Sequence, residues 1–524
     1  MRRARAWRPT FFIFHSQFSI LSFSVVCALL AAASFCAAGP IDYTNPPQGV
    51  FLDEWAVILL DGQKCGYSHS TLTRKGDTIK SVMLQTFKIG RAGQGLAATE
   101  LMTTEETLDG RPLAFTSDMD MAVQKVRQQG VVCNSKVTVR SEQFGNAITE
   151  TFDYPEGALM TWAMMRLQEQ KGYAPGTAYE IASYVPIVAT NRPVTVKVNI
   201  AGEEEIEFGG KKRKAIRSTQ EMTLPNMPVG ITSTVWIDPH DHRLLRTTVP
   251  MMGMKMEIMA SSRHEALTDF EAPEAFMNTL VTVDRPIDRN AARRIRMKLS
   301  LEGDGPDMPP LPKTGMQTPS KAGARSVVLD VARQDHAALA GARTVKKIDR
   351  KAFAEFLEPN VYINCDDPAV RKMAAEAAGD AKQPYEVADR LRTHVSEIIA
   401  DKSLNIGFAS ASEVCRNRSG DCSEHAVLLA ALGRARGIPS QVACGLVYVP
   451  EFRGTKHVFG FHMWTRFHIN GRWVDFDAAQ NETDCNPTHI ALALDSLHDA
   501  GLGELAFAIL PLMSRLNIEI VEIE

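Results

Sequence analysis

An excess of charge of one sign is missing from this sequence: Lys and Arg number 58 and Asp and Glu 61, a formal net charge of −3 over 524 residues. That balance excludes a chain whose main partner is nucleic acid, because such a partner selects for a basic surface. Cysteine is scarce as well, nine residues in all, far too few for a small fold stapled by disulfides. With 45% hydrophobic and 23% charged residues the composition is ordinary for a globular protein, which excludes a disordered, collagen-like or polytopic membrane chain. What is present is length. At about three times the roughly 150 residues of an average domain, the chain calls for two to four folded units.

The N-terminus sets the compartment. Arg2, Arg3, Arg5 and Arg8 precede a mostly apolar run from Phe11 to Ala33 and a small-residue stretch ending Cys36-Ala37-Ala38-Gly39. This order describes a secretory signal peptide over 1–38 and an exported protein, periplasmic, envelope-bound or secreted. The run is long, and His15 and Gln17 interrupt it, so an uncleaved membrane anchor is the alternative. Cleavage after Ala38 removes four arginines and no acid, taking the formal charge from −3 to −7. Seven cysteines then remain, Cys65, Cys133, Cys365, Cys415, Cys422, Cys444 and Cys485. An odd count in an oxidising compartment leaves at least one thiol unpaired within the chain.

From Val50 to about Arg263 short alternating runs are separated by turn residues, as in Glu54-Trp55-Ala56-Val57-Ile58-Leu59-Leu60 before Asp61-Gly62. The pattern predicts an antiparallel β domain over 50–265, with one helix at Gly157 to Gln170. Asp238-Pro239-His240-Asp241-His242 offers metal-ligand types, but between two strand-like runs these are ordinary turn residues. Met252, Met254, Met256 and Ile258 at period two describe the apolar face of a strand, not a soft-metal site. A weaker β pattern predicts a small β domain over 272–340, interrupted by a long exposed loop from Gly303 to Gly323. After Asp366 the period changes. Ala369 to Asp380 and Pro384 to Asp401 read as amphipathic helices, and a third ends at Arg436 before Gly437-Ile438-Pro439. Strands follow at Gln441 to Val449, Gly460 to Ile469, Arg472 to Phe476 and Asn517 to Ile523, with Asn470-Gly471 as a hairpin turn.

Arg418-Ser419-Gly420-Asp421-Cys422-Ser423-Glu424-His425-Ala426 leads into an apolar helix, which places Cys422 at a helix N-terminus. There the helix dipole and backbone N–H groups stabilise a thiolate and an oxyanion. A thiolate nucleophile needs a base, and the base needs an orienting group. His462 lies 40 residues downstream in a strand, and Asp477 lies 15 further on, one hairpin later. Asp475 competes with Asp477 for the orienting role, since period two puts both on one strand face. His425, three positions after Cys422, reads as support for the helix turn, and a disulfide from Cys422 to nearby Cys415 would waste the thiolate-stabilising position. His457, His462 and His468 have spacings that fit no usual zinc pattern, and no calcium loop is recognisable.

Four motifs in order, Gly420-Asp421-Cys422-Ser423-Glu424-His425-Ala426, Arg434-Ala435-Arg436-Gly437-Ile438-Pro439, His462-Met463-Trp464 and Gly471-Arg472-Trp473-Val474-Asp475-Phe476-Asp477, resemble the transglutaminase-like superfamily. The resemblance runs from about Pro384 to the C-terminus and implies a papain-like catalytic domain over 360–524, with helices packed on an antiparallel sheet. Position by position it implies Cys422 as nucleophile, His462 as base and Asp477 as the orienting carboxylate. The departure is Ala478-Ala479-Gln480 where the family often has Pro and Thr. The whole chain thus reads as an α+β multidomain protein. The expected chemistry is acyl transfer from a peptide or protein amide through a thioester at Cys422, with no cofactor and no metal, and hydrolysis as the leading outcome. Transfer to an amine, as in a protein-glutamine transglutaminase, and an inactive binding or scaffold protein are the alternatives. The expected partner is a protein or peptide substrate, with a membrane involved only if the N-terminal segment stays uncleaved.

Overall fold

The computed structural model describes residues 41–524 apart from 92–93, 122–123, 144–145, 187–190, 224–229, 252–253, 276, 304–306, 341–347, 400–407, 483, 499–504 and 506–507. The segment read as a signal peptide lies outside the described residues. Among those described, no helix is long and apolar enough to cross a membrane. The chain divides into two compact units at Ala275.

In the first unit, fourteen described strands between Gly49 and Ser261 form one antiparallel sheet. Eight strands meander from Gly49 to Asp153, six more from Ala178 to Ser261, and the first strand pairs with the last, Ile58 opposite Ile258, to join the two meanders. Period-two sequence explains the face that is buried: Val194–Phe208 buries Val194, Val196, Val198 and Ile200, and Met254–Ser261 buries Met254, Met256 and Ile258. Met252 lies outside the described residues. The predicted helix is Thr161–Lys171, and its Trp162 and Met165 pack on Leu52, Leu72 and Ile79 of the first three strands. Its N-terminus lacks a side-chain cap from its own flank. Glu106 supplies one from a strand, its carboxylate accepting the N–H of Trp162 at 2.6 Å and of Ala163 at 2.9 Å. The Asp238–His242 stretch is the expected turn, with His242 at φ 57° and its Nδ1 3.3 Å from Glu169.

The second unit, Phe276–Glu524, holds two sheets and a set of helices. Helices Pro368–Ala378, Pro384–Ile398 and Cys422–Ala435 sit close to the expected spans, and Ala411–Asn417 adds a short one. Val281–Thr282, Thr455–Ile469, Ser440–Phe452 and Ile490–Asp495 lie side by side in that order, and Arg472–Phe476 extends the edge of Thr455–Ile469 through a hairpin whose Asn470 and Gly471 both have positive φ. The stretch 272–340 does not stand as a separate unit. Its strands Gln317–Lys321, Ser326–Ala332 and Arg294–Leu301 take the C-terminal strand Leu516–Ile523 as their fourth member, and Val281–Thr282 joins the larger sheet. The long loop expected at Gly303–Gly323 contains a strand, paired with Ser326–Ala332. The buried Gln317 side chain imitates a strand partner, taking the Ala491 N–H at 3.0 Å and donating to the Ala491 carbonyl at 2.9 Å.

Candidate active site

Cys422 is the first residue of the Cys422–Ala435 helix, and Asp421 is its N-cap. The Asp421 carboxylate accepts from the Ser423 N–H at 2.9 Å and from the Ser423 hydroxyl at 2.6 Å, and Glu424 reaches back to the Asp421 N–H at 2.8 Å. This capping box fixes the turn that presents the thiol. Gly420 is required beside it: φ is +148°, and a Cβ there would lie 2.4 Å from the Cβ of Glu424. Two carboxylates near a thiolate would oppose its charge. Burial, reinforced by the charge of Asp421, holds Glu424 well above the usual carboxylate range, which disfavours a second negative charge beside the thiol. Its other oxygen takes the Ala409 N–H at 3.1 Å, tying the helix start to the preceding loop.

The helix lies along the Thr455–Ile469 strand. The Thr465 hydroxyl donates to the Ala426 carbonyl at 2.8 Å, and Gly433 lets Phe467 approach so closely that a Cβ would meet the ring at 2.1 Å. These contacts advance along helix and strand in the same direction. Backing up one helical turn from Ala426 reaches Cys422, and three residues back from Thr465 is His462, about 6 and 10 Å respectively. The two residues therefore lie toward the same end of the helix–strand pair.

His462 is buried, and its Nε2 lies 2.8 Å from Oδ2 of Asp477, which is also buried. The second oxygen of Asp477 accepts the N–H groups of Ala479 at 2.9 Å and Gln480 at 3.1 Å, so the Ala478-Ala479-Gln480 sequence forms a loop that holds the carboxylate. The competition between the two aspartates resolves cleanly. Oδ1 of Asp475 receives the Trp464 indole N–H at 2.8 Å and Arg466 at 3.0 Å, and stands apart from His462's bond. His425 bonds within its own turn, Nδ1 donating to the Asp421 carbonyl at 2.6 Å, which supports the helix start. His457 meets the Tyr448 hydroxyl at 3.0 Å and His468 packs on Phe353, so the three histidines of that strand do not converge.

One residue was not legible beforehand. His489, at the start of the Ile490–Asp495 strand, is buried and places Nε2 3.1 Å from the same Asp477 oxygen that His462 uses. Burial disfavours the charge on Asp477, but His462 by charge and hydrogen bond, with His489 behind it, outweighs burial and holds the carboxyl well below its ordinary range. The ligand-type atoms of His462, Asp477 and His489 lie within 4.8 Å of one another. Both imidazole nitrogens sit at hydrogen-bonding distance from a single carboxylate oxygen, the arrangement of two N–H donors on one acceptor. A metal ion here would have to replace both bonds. An open cleft of about 300 Å³, lined among others by Trp55, Ser68, Arg243 and Arg263, lies in the other unit and shares no residue with this constellation.

None of the seven described cysteines forms a disulfide, so Cys422 and Cys415 are not bridged. Burial pushes the thiols of Cys65 and Cys415 up to about 12 and holds those of Cys444 and Cys485 well above the ordinary thiol value.

With this geometry in place, comparison with known proteins is decisive at the level of family: residues 371–478 match the transglutaminase-like superfamily. This part of the chain is a transglutaminase-like core. The match begins inside the Pro368–Ala378 helix and ends just after Asp477, so it spans Cys422, His462 and Asp477 but stops short of His489. No curated protein matches the chain. Among solved structures, a chain described as a "putative cysteine protease" from Cytophaga hutchinsonii is 18% identical, with 44% of this chain and 89% of that one covered and a TM-score of 0.29. Another, described as a "putative protease" from Parabacteroides distasonis, is 11% identical over 68% of this chain and 64% of that one, with a TM-score of 0.17. Both are partial likenesses, and the family assignment of the transglutaminase-like core rests on the sequence match.

Proposed function

We propose that this protein is an exported thiol enzyme that cleaves a peptide or protein amide through a thioester at Cys422. The observation that carries the reading is the buried His462–Asp477 bond of 2.8 Å, within the unit whose central helix begins at Cys422. In the reaction, His462 takes the thiol proton as the sulfur adds to the amide carbonyl. The helix N-terminus favours both the thiolate and the oxyanion that forms. Collapse of the adduct breaks the C–N bond, and His462 returns the proton to the leaving amine. Water then gives a proton to His462, adds to the thioester carbonyl and releases the acid, and the thiol is restored. Asp477 orients the imidazole and balances its charge through both steps. The export assignment rests on the arginine-rich, then apolar N-terminus.

Two measurements test this. Cys422→Ala is expected to abolish thioester capture of an acyl donor, seen by mass spectrometry, while leaving the circular dichroism spectrum unchanged; retained turnover would remove Cys422 from the reaction. Incubation with a glutamine-rich protein, with and without a labelled primary amine, is expected to give cleavage products. Amine incorporation in place of cleavage would instead make the protein a transglutaminase, and neither product would favour a binding role.

A further inference from the structure

His489 has hydrogen-bond acceptors on both sides of its ring. Nε2 faces the Asp477 carboxylate at 3.1 Å, and Nδ1 faces the Asn486 carbonyl at 3.1 Å. A neutral imidazole carries one N–H and can satisfy only one of them. The acceptors are themselves fixed. The Asn486 side chain is held by its amide donating to Glu482 at 2.8 Å and by its Oδ1 receiving both the N–H and the hydroxyl of Thr488, and this fixes the backbone carbonyl that faces Nδ1. Asp477 is fixed by the two N–H groups of the following loop. The ring packs edge-on against Trp464, with centroids 5.2 Å apart, and lies 6.2 Å from the ring of His462.

We propose that His489 is a positioning and charge-balancing residue of this centre, an imidazolium bound to the same Asp477 oxygen as His462, which offsets the carboxylate and sets the pH window in which Cys422 and His462 work as a pair. This rests on the reading of Cys422, His462 and Asp477 as the reacting groups. The groups facing His489 support it. Burial opposes its charge, but the hydrogen bond and charge of Asp477, then the charge of Glu482 and the Asn486 carbonyl, outweigh burial and raise it above the ordinary imidazole value. Cys485, also among these acids, is held as a neutral thiol by burial. With Asp477 shared between two imidazoles, a proton arriving on His462 meets a carboxylate already half offset and a cation about 6 Å away. His489 thereby shares with Asp477 the balance of charge around His462.

Iodoacetate tests the proposal, because an anionic reagent reacts best with a thiolate beside an imidazolium. Its rate with Cys422 against pH, read by mass spectrometry of the Cys422 peptide, is expected to be bell-shaped. Cys422 is itself buried, so access sets the absolute rate and ionisation sets the shape. His489→Gln removes the cation but keeps a donor, and is expected to widen the bell by about one pH unit on the alkaline side. His489→Ala is expected to lower the maximum as well, since the hold on Asp477 is lost. A lowered maximum with unmoved limbs in both variants would reduce His489 to packing and overturn the proposal. A wild-type profile without a bell would instead sink the nucleophile reading, a different failure. Wild-type protein labelled with 15N-histidine needs no variant: His489, assigned through its contact with Trp464, should keep both ring nitrogens protonated at pH 7. A singly protonated ring would overturn the proposal.

Discussion

Two imidazoles on one buried carboxylate oxygen make Asp477 a residue that cannot be neutralised without consequence. Asp477→Asn keeps the shape and the backbone contacts of the loop but leaves His489 without its counter-charge. Breaking a buried pair from one side costs about 3–5 kcal/mol, and denaturant midpoints at pH 6 should show it; a loss below about 1 kcal/mol would mean that His489 is neutral. The pH dependence follows from the two directions. Asp477, held below its ordinary range, contributes stability above about pH 4 that is lost as pH falls through its lowered value. His489, raised, contributes below about pH 6.5 and loses it as pH rises through the raised value. The pair therefore stabilises most between those limits, and Asp477→Asn should flatten the losses on either side of them. Glu106 is a separate case with the opposite sense for an acid. Burial lifts it to about 7 against the pull of the Trp162 and Ala163 N–H groups. Its contribution is full below about pH 4.5, declines as pH rises toward 7 and is spent above it, by on the order of 3 kcal/mol in all. Glu106→Gln should remove that decline in thermal unfolding measured from pH 5 to 8, and an unchanged slope would place the dependence elsewhere.

Elements decide which residues could be read in advance. The helix N-terminus at Cys422 and the strand and hairpin that carry His462 and Asp477 were legible because these are local patterns, while the choice of Asp477 over Asp475 came from the family resemblance. His489 was not, because its meeting with Asp477 depends on how the Ile490–Asp495 strand registers against Ser440–Phe452. That register shifts between Cys444 and Gly445. Gly445 sits opposite His462 on one side and Ala491 on the other, and a Cβ on it would lie 1.8 Å from the Ile490 carbonyl oxygen. Glycine is what allows the strand that begins after His489 to come in. Gly445→Ala must push that strand away, at an expected cost of about 1–3 kcal/mol or more, and the iodoacetate bell of Cys422 should widen as it does in His489→Gln. An alanine variant with unchanged stability and an unchanged bell would show that the close approach is not needed. The Gln317 clamp on Ala491 was hidden for a related reason: its partners lie 174 residues away, and nothing in the Pro-, Gly- and Ser-rich run around it signals a strand.

At the scale of the molecule, the sequence pattern conveyed the change from period two to helical spacing after Asp366, and with it the two kinds of architecture. It could not convey that the 272–340 strands close on Leu516–Ile523, because that pairing joins residues more than two hundred apart. The result is two compact units, one built on a single fourteen-stranded sheet among the described residues and one on two sheets with helices. Each has its own buried core, so each should unfold as a cooperative body. Glu106→Gln and Asp477→Asn fall one in each unit and give a direct test. Calorimetry of the full chain at pH 7 should resolve two transitions, with Glu106→Gln raising one and Asp477→Asn lowering the other. The buried hydroxyl of Ser117 and amide oxygen of Gln128, which make no hydrogen bond within the described residues, sharpen the assignment. Replacing Ser117 with alanine removes an unsatisfied polar group and should leave the Glu106-sensitive transition unchanged or raise it. If both transitions moved together in every variant, the two units would be one thermodynamic body, and the pH dependences of Glu106 and Asp477 would have to be added before either could be read alone.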